Sequence, residues 1–147
     1  MPVLWQIAAG LGLMIATTAF HGAAILSMLG LARARLRSLR PARALRMQIA
    51  VLSVTVCALA ALNIAEAMAW AFGFLQAGAV ANYADSFYFT LVTLTTLGYG
   101  DIVPDAPFRL MAGLCALTGL MLTGMTAATL IELLRHFAIQ GADRAGE

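Results

Sequence analysis

Three apolar stretches, residues 3–31, 47–75 and 108–135, dominate this chain of 147 residues and leave it few ways to fold. A helix of about 20 apolar residues is long enough to cross the hydrocarbon core of a bilayer. Inside that core no water satisfies backbone N–H and C=O groups, so each stretch is expected to be a continuous helix. The composition excludes a water-solvated surface: 62% of residues are hydrophobic, 11% are charged, and mean hydropathy is +0.88. The expected fold class is an all-α membrane protein with three transmembrane helices.

The arginines set an expected orientation. All nine basic residues are arginines, and Arg33, Arg35, Arg37, Arg40, Arg43 and Arg46 fall together between the first two spans. Arginine-rich short loops stay on the cytoplasmic side. The N-terminal helix, 1–32, is therefore expected to run from outside to inside, with the N-terminus extracellular. The second span returns, and the third ends inside with Arg135 and a cytoplasmic tail, 136–147, that contains Arg144. No positively charged n-region precedes the first apolar run, so that run is read as a retained span rather than a signal peptide. Arg37, Arg40, Arg43 and Arg46 recur at every third position, the spacing of gating charges in a voltage-sensing helix. Pro41 interrupts that run, and the one span before it carries no acid. The stretch 33–46 is read instead as a cytoplasmic linker that touches anionic lipid headgroups.

Between the second and third spans the sequence turns loop-like from Gly73 to Ala84. A short apolar segment, 85–96, follows, with Asp85 as its expected helix N-cap. Too short to span, it is expected to be a re-entrant helix that enters the membrane from outside and stops midway. It leads into Thr95-Thr96-Leu97-Gly98-Tyr99-Gly100-Asp101. Gly98 and Gly100 permit backbone conformations closed to other residues, in which successive carbonyls turn to one side. A fourfold ring of such carbonyls replaces the hydration shell of a potassium ion, the role of the filter signature Thr-Val-Gly-Tyr-Gly. A lone Gly-Tyr-Gly is common in turns, but this one follows a short helix, precedes Asp101 and Pro104, and lies between two spans.

The run from Ser86 to Pro104, with its flanking spans, resembles the pore module of potassium channels built from two spans and a pore loop. Glu66-Ala67-Met68-Ala69-Trp70 and Phe108-Arg109-Leu110 are similar to small bacterial potassium-channel proteins with an extra N-terminal span. The resemblance implies a pore domain over 47–135, with an outer helix 47–75, a pore helix 85–96, a filter 96–101 and an inner helix 108–135. It implies potassium sites at Thr96, Leu97, Gly98 and Tyr99, with Gly100 in the filter and Asp101 just outside and behind it. Leu97 stands where valine or isoleucine is commoner. Val92 stands where many members carry a glutamate, so the usual carboxylate pair with Asp101 is missing. Tyr88 aligns with an aromatic that can hydrogen-bond this aspartate, which implies a substitute brace. In the inner helix Gly119 falls at the hinge position, where close helix packing is the alternative reading, and Gly124 repeats a small residue. Leu120, Thr123 and Ala127 share a helical face and are expected to line the cavity.

Charged and polar residues inside the spans need partners. Arg109, at the outer start of the last span, is the expected partner of Glu66, with the back of the filter as the alternative contact. His21 is either a pH-sensitive or ion-pathway group or a neutral imidazole bonded to a neighbouring helix, near Thr17 and Thr18. Glu132 either gathers cations at the inner mouth or faces headgroup water. Cys57 and Cys115 lie in apolar runs without metal-ligand spacing and are read as packing thiols.

One pore loop per chain and a ring of four imply a homotetramer in the cell membrane. The expected function is passive, potassium-selective conduction, with K+ as the permeant ion, the bilayer as a partner and no nucleic acid. The sequence contains no nucleophile–base constellation, so no enzyme is expected. A weakly selective cation channel, and a non-conducting subunit that modulates a partner, are the alternatives.

Overall fold

The computed structural model describes residues 3–37 and 44–145, and their side chains except at 36, 37, 44 and 140–145. Four helices carry most of this backbone: α1 (Val3–Arg37), α2 (Ala44–Ala77), α3 (Tyr83–Leu94) and α4 (Arg109–Ala145). A short 3-10 turn, Ala106–Phe108, leads into α4. The helices α1, α2 and α4 are each long and apolar enough to cross a membrane, and no strand occurs among the described residues. Helices of this length reach about 50 Å at 1.5 Å per residue, beyond a hydrocarbon core of about 30 Å. They therefore run past the expected spans: a charge ends the apolar run without ending the helix, because headgroup water solvates it. The expected linker at Arg37, Arg40, Pro41 and Arg43 involves the Arg37 side chain and residues 38–43, which lie outside the described residues, as does the side chain of Arg144.

The helix α1 packs chiefly along α4 and less along α2, while α3 wedges between α2 and α4. At the α3 end, Trp70, Phe74, Phe89, Met111 and Cys115 form the main core, joined by Leu13 of α1. Midway, Ile25 packs with Leu59 and Leu62 and against Met125. At the far end Ala32 meets Leu133, with Val51 and Phe137 beside them. Thus α1 and α4 run parallel and α2 antiparallel, which gathers Arg33, Arg35, Arg46 and Arg135 at the end opposite α3. Cys115 is buried and Cys57 is exposed.

Two boundaries differ from expectation for local reasons. The loop expected from Gly73 begins only at Gly78, because Gly73 is a packing residue: a Cβ there would lie 2.6 Å from Leu13 Cδ1. The helix α2 ends where Gly78 takes φ +72° and the N–H groups of Gly78 and Ala79 close on the carbonyls of Leu75 and Phe74, each at 3.0 Å. The cap of α3 is Asn82 rather than Asp85. Asn82 Oδ1 accepts the Asp85 N–H at 2.9 Å, and Asn82 Nδ2 donates to Asp85 Oδ2 at 2.8 Å, so Asp85 sits one turn inside the helix as the cap's partner. Ser86 Oγ donates to the Ala71 carbonyl at 2.7 Å and Phe89 meets Phe74 edge-on at 5.2 Å, which fixes α3 against α2.

Candidate functional site

The C-terminal end of α3 hands the chain to residues 95–101 through a tight set of backbone bonds. Thr95 closes the helix with its N–H and its hydroxyl both on the Leu91 carbonyl, at 3.0 and 2.7 Å. The N–H groups of Leu97 and Gly98 then both donate to the Val92 carbonyl at 2.9 Å. Beyond that anchor the backbone alternates in hand: Thr96, Gly98 and Gly100 take φ of 60°, 55° and 78°, while Leu97 and Tyr99 do not enter the left-handed region. Alternation of this kind turns successive peptide planes toward the same side. The two glycines meet the requirement without a Cβ penalty, whereas Thr96 carries a strain of about 1–2 kcal/mol held by the bonds on either side. Residues 95–100 are exposed, with Leu97 at 53% and Tyr99 at 68%.

Behind this segment Tyr88 of α3 donates its hydroxyl to Asp101 Oδ2 at 2.8 Å, and Asp101 Oδ1 accepts the Ile102 N–H at 3.0 Å. The Tyr88 hydroxyl holds the Asp101 carboxyl below the usual carboxylate range. The same bond pushes the Tyr88 hydroxyl above its ordinary value. Val92, where the resemblance places a glutamate in other members, is buried and contributes only its carbonyl to the filter segment.

On α4, Gly119 lies against the end of α3: a Cβ there would stand 2.5 Å from Leu94 Cα. Close packing therefore accounts for this glycine, and α4 runs unbroken through it. A Cβ on Gly124 would meet nothing within 4 Å. Leu120, Thr123, Gly124 and Ala127 are exposed. Thr123 and Gly119 line a cavity of about 320 Å³ beneath α3, with Thr95, Leu94 and Asn63.

The expected partnership of Glu66 with Arg109 is not formed. Arg109 is exposed and joins no ion pair among the described residues. Glu66 is buried against α1, where His21 Nδ1 lies 2.9 and 3.2 Å from its two carboxylate oxygens. The other ring nitrogen of His21 lies 3.2 Å from Thr126 Oγ1 of α4. The physical reason is depth: Arg109 begins α4 at the α3 end of the bundle, whereas Glu66 sits within the span, where the neighbouring helix α1 presents His21. Thr126 was not singled out from the sequence, although it is one of the few polar residues of α4 at a depth near that of His21 in α1. Thr17, placed near His21, bonds instead to its own helix through the Leu13 carbonyl at 2.7 Å, and Thr18 Oγ1 has no partner among the described residues. Glu132 faces Arg33 at 3.3 Å, both about half exposed.

A family profile described as an ion channel matches residues 60–136, just over half of the chain. The voltage-gated potassium channel protein shk-1 of Caenorhabditis elegans is 42% identical over 53 residues, 35% of this chain and 10% of the relative. The calcium-gated potassium channel TvoK of Thermoplasma volcanium is 37% identical over 62 residues, 42% of this chain and 18% of the relative. A voltage-gated potassium channel of Aeropyrum pernix is 38% identical over 52 residues, 35% of this chain and 16% of the relative. The chain thus spans less than a fifth of the length of these curated relatives. No solved structure matches it. By the match over 60–136, the chain belongs to the ion-channel family, and the relatives it resembles are potassium channels.

Proposed function

We propose that this protein is one subunit of a homotetrameric, potassium-selective channel that conducts K+ passively. The observation that carries the reading is the alternating backbone of Thr96, Gly98 and Gly100, presented at the end of a short helix that does not span. Carbonyls turned to one side by that alternation, from Thr96 through Tyr99 and completed by Gly100, are the ligands a dehydrated K+ requires. One subunit supplies a quarter of each ring, so four copies close it. The exposure of residues 95–100 and of Leu120, Thr123 and Ala127 in the single subunit fits surfaces that face a shared axis. In this arrangement α2 is the outer helix, α3 the pore helix and α4 the inner helix.

Tyr88 and Asp101 support the filter from outside, and the C-terminal end of α3 directs its partly negative pole toward the cavity where a hydrated cation waits. The arginine-rich end lies in the cytoplasm with the C-terminus, and its guanidinium groups meet anionic lipid headgroups.

The test is potassium flux through the purified chain in liposomes, with sodium as the paired cation and Gly98→Ala as the filter variant. Gly98 at φ 55° accepts no side chain without strain, so the substitution is expected to abolish potassium flux. Selective flux lost in Gly98→Ala supports the reading. Equal sodium and potassium flux would replace it with a nonselective cation pore, and absence of any flux with a partner-dependent subunit.

A further inference from the structure

His21 and Glu66 are a buried pair of ionisable side chains, with 0% and 1% of their surface exposed. They stand where three helices meet: His21 Nδ1 bonds Glu66 of α2, and His21 Nε2 bonds Thr126 of α4. Among the described residues no other charged side chain shares that depth. Glu66 is the only one between 47 and 75, His21 is the only such group between 3 and 32, and α4 has none from 110 to 131, where only thiols, Cys57 on α2 and Cys115 on α4, are otherwise titratable. The nearest charges on the packed helices are Arg33 and Glu132, which bind each other about two turns or more toward the arginine end, with His136 beyond them.

The number of protons on this pair decides its net charge. Imidazolium with carboxylate, or neutral imidazole with carboxylic acid, sums to zero. One proton fewer leaves a net negative charge among apolar neighbours, and one more leaves a net positive charge, and both are strongly disfavoured without water or a counter-charge. The Thr126 hydroxyl can donate to Nε2 or accept from it, so that hydrogen bond survives either protonation state of the ring, while the net charge of the pair follows its proton count. A change in proton count therefore strains the junction, which is relieved by admitting water or by shifting α1 relative to α4. A crevice of about 230 Å³ between α1 and α2, lined by Leu13, Thr17, Phe20, Ala65 and Ala69, reaches Glu66 without passing the filter. Thr126 adjoins Ala127 and lies one turn from Thr123, so its displacement moves the face of α4 assigned to the cavity.

We propose that His21 and Glu66 form a proton-binding site within the membrane, which Thr126 joins to α4, so that the N-terminal helix positions the inner helix and makes conduction proton-dependent. The conduction half rests on the channel reading above; the proton site does not.

Two readouts on the purified full chain in liposomes separate these halves. Infrared difference spectra between about pH 6 and about pH 8, the window in which histidine switches, are expected to show a pH-dependent carboxyl band in the unmodified protein and in Thr126→Val. The band should vanish in Glu66→Gln and in His21→Gln/Glu66→Gln, with size-exclusion profiles checking that each variant assembles. Potassium flux over the same window is expected to change about tenfold, within the usual range of coupling between two sites. It should become flat in His21→Gln and Thr126→Val while His136→Gln keeps the dependence. Asp101 and Tyr88, shifted below and above their ordinary ranges, stay outside this window. Absence of the carboxyl band overturns the proton site. A band with pH-independent flux, or an unchanged pH response in His21→Gln or Thr126→Val, overturns the coupling. A protein that shows the band yet carries no potassium at any pH overturns the channel reading and leaves the proton site standing.

Discussion

Gly119 of α4 rests on the backbone of Leu94 at the end of α3, so closely that an added Cβ would stand 2.5 Å from Leu94 Cα and 2.7 Å from its carbonyl carbon. Backbone atoms at a helix terminus cannot turn aside as a side-chain tip can. Gly119→Ala is therefore expected to destabilise the subunit by about 1–3 kcal/mol, the usual cost of overpacking. Gly124→Ala, with nothing within 4 Å of its Cβ in the subunit, is expected to leave stability unchanged or slightly raised. Thermal unfolding of the two variants in detergent, side by side, measures the difference.

The Tyr88 hydroxyl keeps the Asp101 carboxyl ionised to lower pH than an ordinary carboxylate. The interaction is thus fully present above the usual carboxylate range and is lost as pH falls through the lowered value. Tyr88→Phe returns Asp101 toward its ordinary range, so loss of flux on external acidification is expected to begin at a higher pH in the variant. Acid titration of potassium flux, variant against unmodified protein, checks the direction. Coincident acid limbs would show that the 2.8 Å bond does not govern the filter.

Asn82 satisfies an N-terminal N–H of the pore helix and holds Asp85 in place. Asn82→Ala is expected to cost about 1 kcal/mol, while Asn82→Ser, which retains a capping oxygen, costs a few tenths. Because the cap orients the helix that delivers Thr96, the alanine variant should also lower the yield of assembled protein on size exclusion.

Two carboxylates of the chain are paired under opposite solvation. Glu132 meets Arg33 with both side chains near half exposed, and such a pair contributes no more than about 1 kcal/mol and weakens with salt. Glu66 meets His21 out of contact with solvent, and removing one partner of a buried pair costs about 3–5 kcal/mol. Glu66→Ala is expected to reduce thermal stability far more than Glu132→Ala, and only the smaller loss, that of Glu132→Ala, is expected to shrink with added salt.

Thr123 lines the cavity beneath the pore helix. Thr123→Phe is expected to lower single-channel current several-fold without altering selectivity, since the carbonyls proposed to select the ion belong to residues 96–100 and not to α4. Single-channel recording in planar bilayers reads both quantities, and unchanged current would remove Thr123 from the ion path.

The family, the three spans and the left-handed backbone at Gly98 and Gly100 were legible in the sequence because each rests on a local cause. A long run of apolar side chains must form a helix in lipid whatever its neighbours. Glycines spaced by one residue mark a backbone that other residues resist. Helix ends were less legible: Gly73 reads as a loop signal, yet it is a notch for Leu13, and Asp85 reads as a cap although Asn82 holds that place. Both errors arise because glycine and short polar residues serve turns and close packing alike, and only the neighbouring helix distinguishes the two uses.

By itself the sequence determined what is decided within a few turns of one segment: which stretches enter the membrane, which peptide planes can turn, and where the arginines gather. Tertiary structure alone decided the pairings between segments. It gave Glu66 to His21 rather than Arg109, joined Thr126 to them, and set Gly119 against Leu94. Such pairings depend on the relative depth and rotation of helices far apart in the chain, and a uniformly apolar helix surface carries little pattern from which depth or rotation can be read.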